Sequence, residues 1–366
     1  MSNKVKVGII GSQFISHIHT ISLKRCNQAE LFAIASPTPG NAKNFASKHG
    51  IPHHFTDYKK LLEMPEVDLV VMGVPNDLHC RITIDVAKAG KHVVVEKPLC
   101  LNLSEADQMI EACRKAKVKL MYAEELCFCP KYVRLKKLLD AGALGAPTLV
   151  KQSEKHSGPH APHFWNVNRS GGGVTMDMGC HAIEFFRWIL GRPPIKSVYA
   201  QMGTYVHKDK TRGDDNALII IEFANGVVGL AEESWTKQGG MDDRAEVHGS
   251  SGVAYADLLH GNSIETYSGE GYDYAVEKAG STKGWSFTIY EEEWNYGFHQ
   301  EMEHFVDCVQ NDKKPLVTGQ DGRAVLEVIF AAYESARTGR KVTLPFKTKA
   351  KKPIDLWKPS KGRAAR

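Results

Sequence analysis

Between residues 4 and 123 the chain alternates short aliphatic runs with longer amphipathic stretches, and this alternation restricts the fold more than any other feature. The aliphatic runs are rich in valine and isoleucine, and turn residues bound them. Continuous runs of this kind are typical of strands that are buried on both faces, which requires helices above and below a parallel sheet. The runs are KVGII, ELFAIAS, VDLVVMGVP, HVVVEKP and KLMYAE.

The stretches between these runs are long enough for helices, and they predict the crossovers of a doubly wound domain. In LSEADQMIEACRKAK we expect the helix to start at Ser104. Glu105 and Asp107 then lie in a first turn where the helix dipole favours anions. The other stretches are the segment that ends at Arg25, NAKNFASKHG and HCRITIDVAKAG.

The pattern changes after about residue 124. Strand-like runs are now joined by short turns, which predicts a largely antiparallel sheet, and Asn225-Gly226 predicts a hairpin with a type I′ turn. The expected strands are PTLVKQSEKH, IKSVYAQMGTYV, NALIIIEFANGVVGLAEESWT as a hairpin, MDDRAEVHGSSGVAYAD, SIETYSG and KVTLPF. The expected helices are HAIEFFRWILG, YGFHQEMEHFVDCVQN and DGRAVLEVIFAAYESARTG.

The sequence therefore predicts an α/β protein with two domains, in keeping with its 366 residues. Residues 1–123 form a doubly wound parallel sheet, and residues 124–345 form an α+β domain. Residues 346–366 hold much of the excess behind the net charge of +5 and lack any periodicity. They predict a solvated basic extension rather than a nucleic-acid-binding arm.

Composition narrows the class of protein. With 42% hydrophobic and 24% charged residues, the chain is an ordinary globular protein. A strand begins almost at the N-terminus, which leaves no room for a signal peptide, and no apolar run reaches the roughly 20 residues of a membrane helix. We expect a cytoplasmic protein without membrane or nucleic-acid partners. Eight cysteines are too few for a disulfide scaffold, and Cys127 and Cys129 lack the companion ligands of a zinc site.

Two segments carry charged groups that suit catalysis. VVVEKP ends in Glu96 and Lys97, where open α/β sheets bind ligands beyond the strand ends. In GGGVTMDMGCHAIEFFRWILG, Asp177 and His181 are four residues apart, so one helix face would hold a carboxylate beside an imidazole, as in a general acid/base. Each segment also has a structural interpretation, as a solvated strand end or as an ordinary surface pair.

A third segment, SEKHSGPHAPHFWNVNRSGGG, brings histidines and aromatic rings into a loop rich in glycine and proline. Polar donors beside Phe164 and Trp165 suit a sugar ring, which has hydroxyls at its rim and C–H groups on its faces. His156, His160 and His163 could instead bind a metal. No Asp, Glu or Cys at a fixed helical offset completes such a site, so we expect no metal.

The segment VGIIGSQFISHIH is an incomplete dinucleotide fingerprint. Gly11 matches the pattern, whereas Gln13 and Ser16 stand where glycines are expected. Ser16 is small enough for close helix packing. The side chain of Gln13 must point away from a bound pyrophosphate or donate to it through its amide.

Taken in order, and together with VPNDLH and the ending DGRAVLEVIFAAYESARTGRKVTL, these segments resemble the Gfo/Idh/MocA family, the glucose–fructose oxidoreductase and inositol dehydrogenase superfamily. The resemblance spans nearly the whole chain, and its most specific part is E-K-P after a strand with D-x-x-x-H later. It implies an N-terminal Rossmann domain, a second domain with a large, mostly antiparallel open sheet that often forms an oligomer interface, and therefore a homo-oligomer. It also implies hydride transfer between a nicotinamide and a sugar, cyclitol or related alcohol.

The resemblance further implies roles for individual residues. Lys97 would hydrogen-bond the reacting oxygen, His181 would accept the proton during oxidation, and Asp177 would orient the substrate or the histidine. Because the base varies between family members, we assign the pair rather than one residue. The implied cofactor-binding residues are Gly11, Gln13, Phe14, Ile15, Ser36, Thr38, Pro75, Asn76, His79, Glu96 and Lys97, with Asn76 and His79 near the nicotinamide. Together with the loop chemistry above, the predicted substrate-binding residues are Glu124, His156, His160, Trp165, Asp177 and His181.

Two positions depart from the family pattern. The second strand usually ends in an acidic residue that binds the adenosine ribose of NAD, but here it ends in Ser36, and Thr38 and Lys43 follow. These side chains could bind the 2′-phosphate of NADP, yet no arginine follows, so we favour NAD(H) and leave NADP(H) open. Glu124 and Glu125 stand where an asparagine or arginine often precedes F-x-P in the family.

The expected function is oxidation of a secondary hydroxyl of a sugar, glycoside or cyclitol, with a preference for a glucose-like ring or its glycosides. One alternative is a sugar–carbonyl oxidoreductase that recycles a tightly bound cofactor. Another is a non-catalytic sensor of nucleotide or sugar, which would not need Lys97, Asp177 and His181 together.

Overall fold

The computed structural model describes residues 4–260, 264–268, 270, 281, 283–288 and 292–357. The chain divides into two compact units. The first unit combines Met1–Phe128 with Gly297–Ala324, and the second combines Cys129–Tyr296 with Val325–Arg366. The first unit thus includes residues 297–324, which the sequence pattern assigns to the second domain. The predicted domain boundary at residue 123 stays a prediction.

The first unit is built on a parallel sheet with helices between its strands. The strands are β1 Val5–Ile10, β2 Ala29–Ala35, β3 His53–Phe55, β4 Leu69–Met72, β5 His92–Glu96 and β6 Leu120–Ala123. The helices are α1 Phe14–Arg25, α2 Asn41–His49, α3 Tyr58–Leu62, α4 His79–Lys88 and α5 Leu103–Ala116. The strand order among the described residues is β3-β2-β1-β4-β5-β6, which reverses direction next to β1 and so creates a ligand-binding crevice at the strand ends.

The predicted alternation of strands and helices in this unit is confirmed. All four residues of β4 are buried, as expected for a strand that is covered on both faces. The predictions missed β3 and α3, which have three and five residues and are too short to show a period.

The start predicted for α5 is wrong. The capping residue is Asn102, whose side-chain oxygen accepts from the backbone N–H of Glu105 at 2.9 Å. The amide group of Asn102 also donates to the Glu105 carboxylate at 2.9 Å. Because Asn102 already satisfies this free N–H group, the helix begins at Leu103, before Ser104.

The second unit is built on a mixed sheet. Its helices are α6 Pro130–Asp140, α7 Val167–Ser170, α8 Val174–Asp177, α9 Gly179–Ile189 and α10 Glu292–Asn295. Its strands are β7 Pro147–Lys155, β8 Ile195–Gly203, β9 Asn216–Phe223, β10 Val228–Ser234, β11 Asp242–Gly249, β12 Val253–Asp257, β13 Ile264–Ser268, β14 Gly284–Thr288 and β15 Val342–Thr343. Among the described residues the large sheet has the order β12-β11-β7-β10-β9-β8-β15, and only β7 and β10 pair in parallel. The largely antiparallel sheet is therefore confirmed.

The hairpin between β9 and β10 is confirmed, but its turn is not of type I′. The N–H of Gly226 donates to the carbonyl of Phe223 at 3.0 Å, so Ala224 and Asn225 occupy the centre of the turn. Gly226 alone has a positive φ here, +86°. Asn225 keeps a negative φ and accepts from the N–H of Val227 at 3.2 Å through its side chain. This is the three-residue loop in which glycine follows a type I turn.

Residues 346–357 are not a solvated extension. The N–H of Ile354 donates to the carbonyl of Gly171 at 3.0 Å. Trp357 is 7% exposed, with its ring 6.2 Å from that of Tyr333. A backbone hydrogen bond and a buried aromatic ring thus hold this basic segment on the second unit. Residues 358–366 lie outside the described residues.

Two further helices lie late in the chain, α11 Phe298–Gln310 and α12 Gly319–Thr338. α11 packs on α1 in the first unit, where His299 Nδ1 lies 2.8 Å from the Ser22 hydroxyl. Across the part of the chain that the structure describes, no helix combines the length and apolar character needed to span a membrane. The eight cysteines are all free, and seven are buried.

Candidate active site

The turn after β1 has the geometry of a phosphate-binding turn. Gly11 has a φ of +114°, and a Cβ at this position would lie 2.0 Å from the carbonyl oxygen of Gly73. Only glycine fits here. Ser16 is 1% exposed, and a Cβ on Gly73 would lie 2.5 Å from its hydroxyl. This close approach explains why position 16 takes a side chain no larger than serine.

Gln13 occupies the N-cap position of α1 without capping it. Its backbone is extended, its side chain is exposed, and that side chain makes no capping hydrogen bond. Phe14 is 45% exposed and Ile15 is half-buried. Gln13 therefore leaves the N–H groups of the first turn without a side-chain cap. A helix end without such a cap can bind a phosphate through these N–H groups.

Ser36 and Thr38 follow β2 at the same edge of the sheet. Ser36 is 4% exposed, its Oγ lies 2.8 Å from that of Ser12, and Thr38 is exposed. A cavity of about 320 Å³ adjoins this turn and is lined by Ser12, Gln13 and residues of α1 and α2. A glycine turn, an uncapped helix end and an adjoining cavity are what the pyrophosphate and ribose of a dinucleotide require, so these residues fit that cofactor.

The loop after β4 places His79 in the interior. Its Nε2 lies 2.8 Å from the carbonyl oxygen of Val74, and its Nδ1 lies 3.0 Å from that of Pro98. Burial lowers the pKa of this imidazole, although the carbonyl contacts oppose the shift. His79 joins two loops at the strand ends, which favours a supporting role over direct contact with a cofactor. On the same loop Asn76 is 2% exposed and Pro75 is half-buried.

β5 ends in Glu96, whose two carboxylate oxygens are both held. Oε1 lies 2.5 Å from His19 Nε2, and Oε2 accepts from the backbone N–H of Lys97 at 3.0 Å. Burial raises the pKa of Glu96, but His19 and Lys97 together outweigh it and keep the pKa below its ordinary value. Glu96 therefore anchors the strand end that carries the half-buried Lys97. Nothing in the local pattern indicated His19 as the partner.

Two more carboxyl groups lie near this strand end in the first unit. Burial raises the pKa of Glu124 to about 8, while Lys97 lowers it and Glu96 raises it further. Glu301, on α11, is 0% exposed, and burial and the neighbouring glutamates raise its pKa well above the ordinary value. A carboxyl that keeps its proton at neutral pH can donate a hydrogen bond as well as accept one. Sequence reasoning did not identify Glu301, because its neighbours come from distant parts of the chain.

The helix predicted to carry Asp177 and His181 is interrupted. α8 ends at Asp177, α9 begins at Gly179, and the N–H of His181 donates to the carbonyl of Met178, three residues back, at 2.9 Å. The carbonyl oxygen of Asp177 accepts instead from the Cys180 thiol at 3.1 Å. The expectation of one continuous helix through the pair is therefore wrong.

Asp177 and His181 are both buried, at 3% and 2% exposure. Asp177 Oδ2 accepts a hydrogen bond from the indole Nε1 of Trp235 at 3.1 Å. Trp235 directly follows β10 and is 0% exposed. The indole thus fixes one oxygen of the candidate catalytic carboxylate. Sequence reasoning missed Trp235, because a tryptophan at a strand end gives no signal for a partner 58 residues away.

A buried acid holds the glycine-rich segment before α8. Asp214 Oδ1 accepts from the N–H of Gly173 at 3.1 Å, and its Oδ2 accepts from the N–H of Thr175 at 2.9 Å. The hydroxyl of Tyr333 donates to the same carboxylate. A Cβ at position 173 would lie 2.0 Å from the backbone oxygen of Asp214. The segment therefore needs glycine for close packing, and Asp214 caps α8 from a distant loop.

The histidine-rich loop lies near the same tryptophan. His156 is 1% exposed, its Nδ1 lies 2.7 Å from a main-chain carbonyl oxygen two residues on, and its ring centroid lies 4.6 Å from that of His160. The half-buried ring of Trp165 meets Trp235 edge-on at 5.3 Å. The structure thus brings Trp165 next to the indole that holds Asp177.

In the second unit, one cluster of side chains that could bind a metal already has a cationic neighbour. Asp242, Asp257 and His260 have ligand atoms within 4.8 Å of one another. The guanidinium of Arg244 lies 2.7 Å from Asp242, where it neutralises this carboxylate. We assign no metal to this group, and the absence of a metal stays a prediction.

Comparisons with known proteins cover both parts of the chain. The NAD-binding Rossmann-fold model of the Gfo/Idh/MocA oxidoreductase family matches residues 5–124, and the model of its C-terminal alpha/beta domain matches residues 136–344. The chain is 29% identical to myo-inositol 2-dehydrogenase of Thermotoga maritima, over 93% of this chain and 98% of that protein. It is 31% identical to scyllo-inositol 2-dehydrogenase (NAD(+)) of Bacillus subtilis, over 95% and 98% of the two chains.

The fold has similar solved structures. The crystal structure of GenD2 from gentamicin A biosynthesis, in complex with NAD, matches with a TM-score of 0.89 and 30% identity, over 94% of this chain and 98% of that one. The two family models together cover most of the chain, and the curated relatives match it almost end to end. The chain therefore belongs to the Gfo/Idh/MocA family of oxidoreductases, with an NAD-binding Rossmann fold.

Proposed function

We propose that this oxidoreductase oxidises a secondary hydroxyl of a sugar, glycoside or cyclitol with a nicotinamide cofactor. The observation that supports this most is that a chain of this family has Lys97 directly after β5, and has Asp177 and His181 on either side of the break between α8 and α9. The inositol dehydrogenases among its relatives support the substrate class. When bound, the nicotinamide supplies the hydride acceptor.

The chain's own side chains handle the proton. Oxidation removes a hydride from the carbon and a proton from the hydroxyl, so the oxygen needs a base and a donor that stabilises its developing charge. Lys97 would hydrogen-bond this oxygen, and His181 would accept its proton, although the two roles can be exchanged within the pair. Asp177, with one oxygen fixed by Trp235, would orient the substrate or the imidazole.

Glu124 adds a hydrogen-bonding group of a different kind. With a pKa of about 8, its carboxyl is mostly protonated at neutral pH. It can therefore donate to one sugar oxygen while it accepts from a hydroxyl. We propose this role in place of the asparagine or arginine that the family often has nearby.

The second unit supports a preference for a glucose-like ring or its glycosides. Trp165 offers an aromatic surface, and Lys210 lies 5.3 Å from the centre of its ring. His156 and His160 add ring nitrogens on the same loop. Apolar faces and polar rims of this kind match a pyranose.

Two further properties remain proposals. We favour NAD(H), which the NAD complex of GenD2 supports, and Ser36 leaves NADP(H) open. We also propose a homo-oligomer that forms through the open face of the large sheet. Leu218 and Ile220 on β9 are 50% and 39% exposed, and Tyr255 on β12 is 68% exposed. Exposed apolar side chains on a sheet face indicate an interaction surface.

A substrate panel tests the function. The purified protein is first analysed by native mass spectrometry for any nucleotide or sugar that stays bound. Sugars, glycosides and inositols are then offered with NAD+ and with NADP+, and reduced nicotinamide is measured by absorbance. Turnover of a polyhydroxy alcohol supports the proposal. A bound nucleotide without turnover on any alcohol would favour the recycling enzyme if an added sugar carbonyl restores turnover, and the sensor if it does not.

A further inference from the structure

A cavity beside the β1 turn extends between α1 and α2, and we refer to it as the α1–α2 cavity. Its volume is about 320 Å³. It reaches from the turn that would bind the pyrophosphate to the last turn of α2. Its lining residues are Ser12, Gln13, His17, Asn41, Asn44, Phe45 and Lys48.

The α1–α2 cavity is suited to an anion. Among the described residues that line it, none is acidic, and Lys48 contributes a positive charge. Asn41 and Asn44 contribute amide groups from the first turn of α2, a nine-residue helix whose N-cap is a glycine without a side chain to cap it. Several neutral donors and one cation, with no carboxylate to repel a ligand, are typical of a phosphate site.

His17 is held in place at the cavity wall. Its Nδ1 lies 2.7 Å from Nε2 of His49, and its ring stacks on Phe45 with a centroid distance of 4.5 Å. Burial lowers the pKa of His17, and the charge of Lys48 lowers it further. With Nδ1 engaged by His49, Nε2 is the ring nitrogen that remains for a ligand. A rigid imidazole next to a lysine is a prepared partner for a negative group.

The position of the cavity identifies the anion. In a dinucleotide site the pyrophosphate lies at the start of α1, and a residue just after β2 contacts the adenosine ribose hydroxyls. Here that residue is Ser36, whose hydroxyl lies 2.8 Å from that of Ser12. The α1–α2 cavity begins at Ser12, so a group on the ribose 2′-oxygen would be directed into it. A carboxylate at position 36, which would repel a 2′-phosphate, is absent.

We propose that the α1–α2 cavity binds the 2′-phosphate of NADP(H), with Lys48 as its counter-ion and His17, Asn41 and Asn44 as its hydrogen-bonding partners. The protein then accepts both dinucleotides. This inference rests on the proposed use of a nicotinamide dinucleotide. It assigns phosphate recognition to Lys48, whereas sequence reasoning considered Lys43, which does not line the cavity.

The test uses nucleotide fragments, so it does not depend on turnover. Binding of 5′-AMP, 2′,5′-ADP and 3′,5′-ADP to the full-length protein is measured by isothermal titration calorimetry. The same titrations are made with Lys48→Gln, with Ser36→Asp and with the matched control Lys43→Gln. Lys48 and Lys43 are both exposed residues of α2, and melting curves check that each variant is folded.

We expect 2′,5′-ADP to bind about tenfold or more tightly than 5′-AMP, the usual scale for one charge-assisted contact. Lys48→Gln and Ser36→Asp should each remove most of this gain. Lys48→Gln should leave 5′-AMP binding unchanged, and Lys43→Gln should keep the gain. Three results would overturn this inference and leave the proposed function standing: no gain from the 2′-phosphate, an equal gain from the 3′-phosphate, or an equal loss of the gain in Lys43→Gln. Failure of all three nucleotides to bind would also overturn the proposed function.

Discussion

In the first unit Lys97 follows a strand end with charged neighbours, whereas in the second unit the carboxylate of Asp177 accepts a hydrogen bond from a neutral indole. Glu96 is held by His19 at 2.5 Å, and the pKa of Glu124 responds to Lys97. Asp177 is held by the indole of Trp235. The two units thus position comparable catalytic groups by different physical means.

The difference predicts different sensitivities. Charge interactions in a buried setting change with pH, because each pKa shift is also a change in stability. The indole that holds Asp177 and the close packing at Gly173 do not titrate near neutral pH, so these two contacts of the second unit should respond to changes of shape instead. The following substitutions test this contrast, from the largest expected effect to the smallest.

Removal of either acid/base group should have the largest effect, in both units alike. We expect Lys97→Ala and His181→Ala each to lower kcat by about two orders of magnitude or more, the usual scale for a positioned acid/base group. Steady-state kinetics on the best substrate of the panel measures this, and circular dichroism checks the fold. Lys88→Ala, an exposed lysine at the end of α4, serves as control. Near-normal turnover in either variant would contradict the assigned pair.

Close packing in the second unit is tested by Gly173→Ala. The new Cβ would meet the backbone oxygen of Asp214 at 2.0 Å, so we expect a loss of roughly 2–4 kcal/mol in unfolding free energy, as for other overpacked interiors. Gly179→Ala is the control, because a Cβ there would first meet Ile219 at an ordinary 3.4 Å. Urea denaturation followed by fluorescence compares the two. Equal stability of the two variants would contradict the close packing at Gly173.

Two glutamates of the first unit should affect the pH dependence of stability in opposite directions. The pKa of Glu96 is lowered in the folded state, so its contribution is present above the unfolded value of about 4.5 and is lost as the pH falls through the folded pKa. Glu96→Gln should therefore destabilise the protein at pH 7 by roughly 2 kcal/mol, the scale of a buried hydrogen bond to a charged group.

Glu301 has a raised pKa in the folded state, so it lowers stability as the pH rises above about 4.5 towards that folded value. Glu301→Gln removes this loss, and we expect it to stabilise the protein at pH 8 and to change little near pH 4. Thermal melting across this pH range measures both variants. Parallel profiles for Glu96→Gln and Glu301→Gln would show that charge does not govern this strand end.

The indole contact should give the smallest effect on activity. Trp235→Phe removes the donor to Asp177 and keeps an aromatic ring, so we expect kcat to fall by about tenfold, the equivalent of one hydrogen bond to a charged group. Trp357→Phe, a buried tryptophan elsewhere in the same unit, is the matched control. If both variants lower kcat equally, general packing explains the loss and the specific role of Trp235 is wrong.

The sequence was informative wherever a local pattern decides the structure. Buried strands such as β4 and β5 produce continuous aliphatic runs, and their order along the chain predicts the parallel sheet. The contacts that organise the candidate site join residues far apart, as in His19 with Glu96 and Asp177 with Trp235. Periodicity reports that a side chain is buried, but it does not report which distant group faces it.

The same limit explains the errors at the helix termini. The break between α8 and α9 depends on a local exchange of partners, in which the Cys180 thiol takes the carbonyl oxygen of Asp177. The spacing of four residues between Asp177 and His181 is the same in a continuous helix and in an interrupted one, so it does not reveal the break. The α1–α2 cavity also lay beyond sequence reasoning, because it is formed by the packing of two helices.

The packing of α11 on α1 has a consequence for how the protein is made. α1 leaves the ribosome early, but its partner helix is translated only after residues 129–296 of the second unit. At 5–20 residues per second, this interval lasts roughly 10 to 35 seconds. During that time the nascent first unit exposes the surface around Ser22 that His299 later covers. The part of the protein that is synthesised first is therefore open to chaperones until nearly the whole chain has been translated.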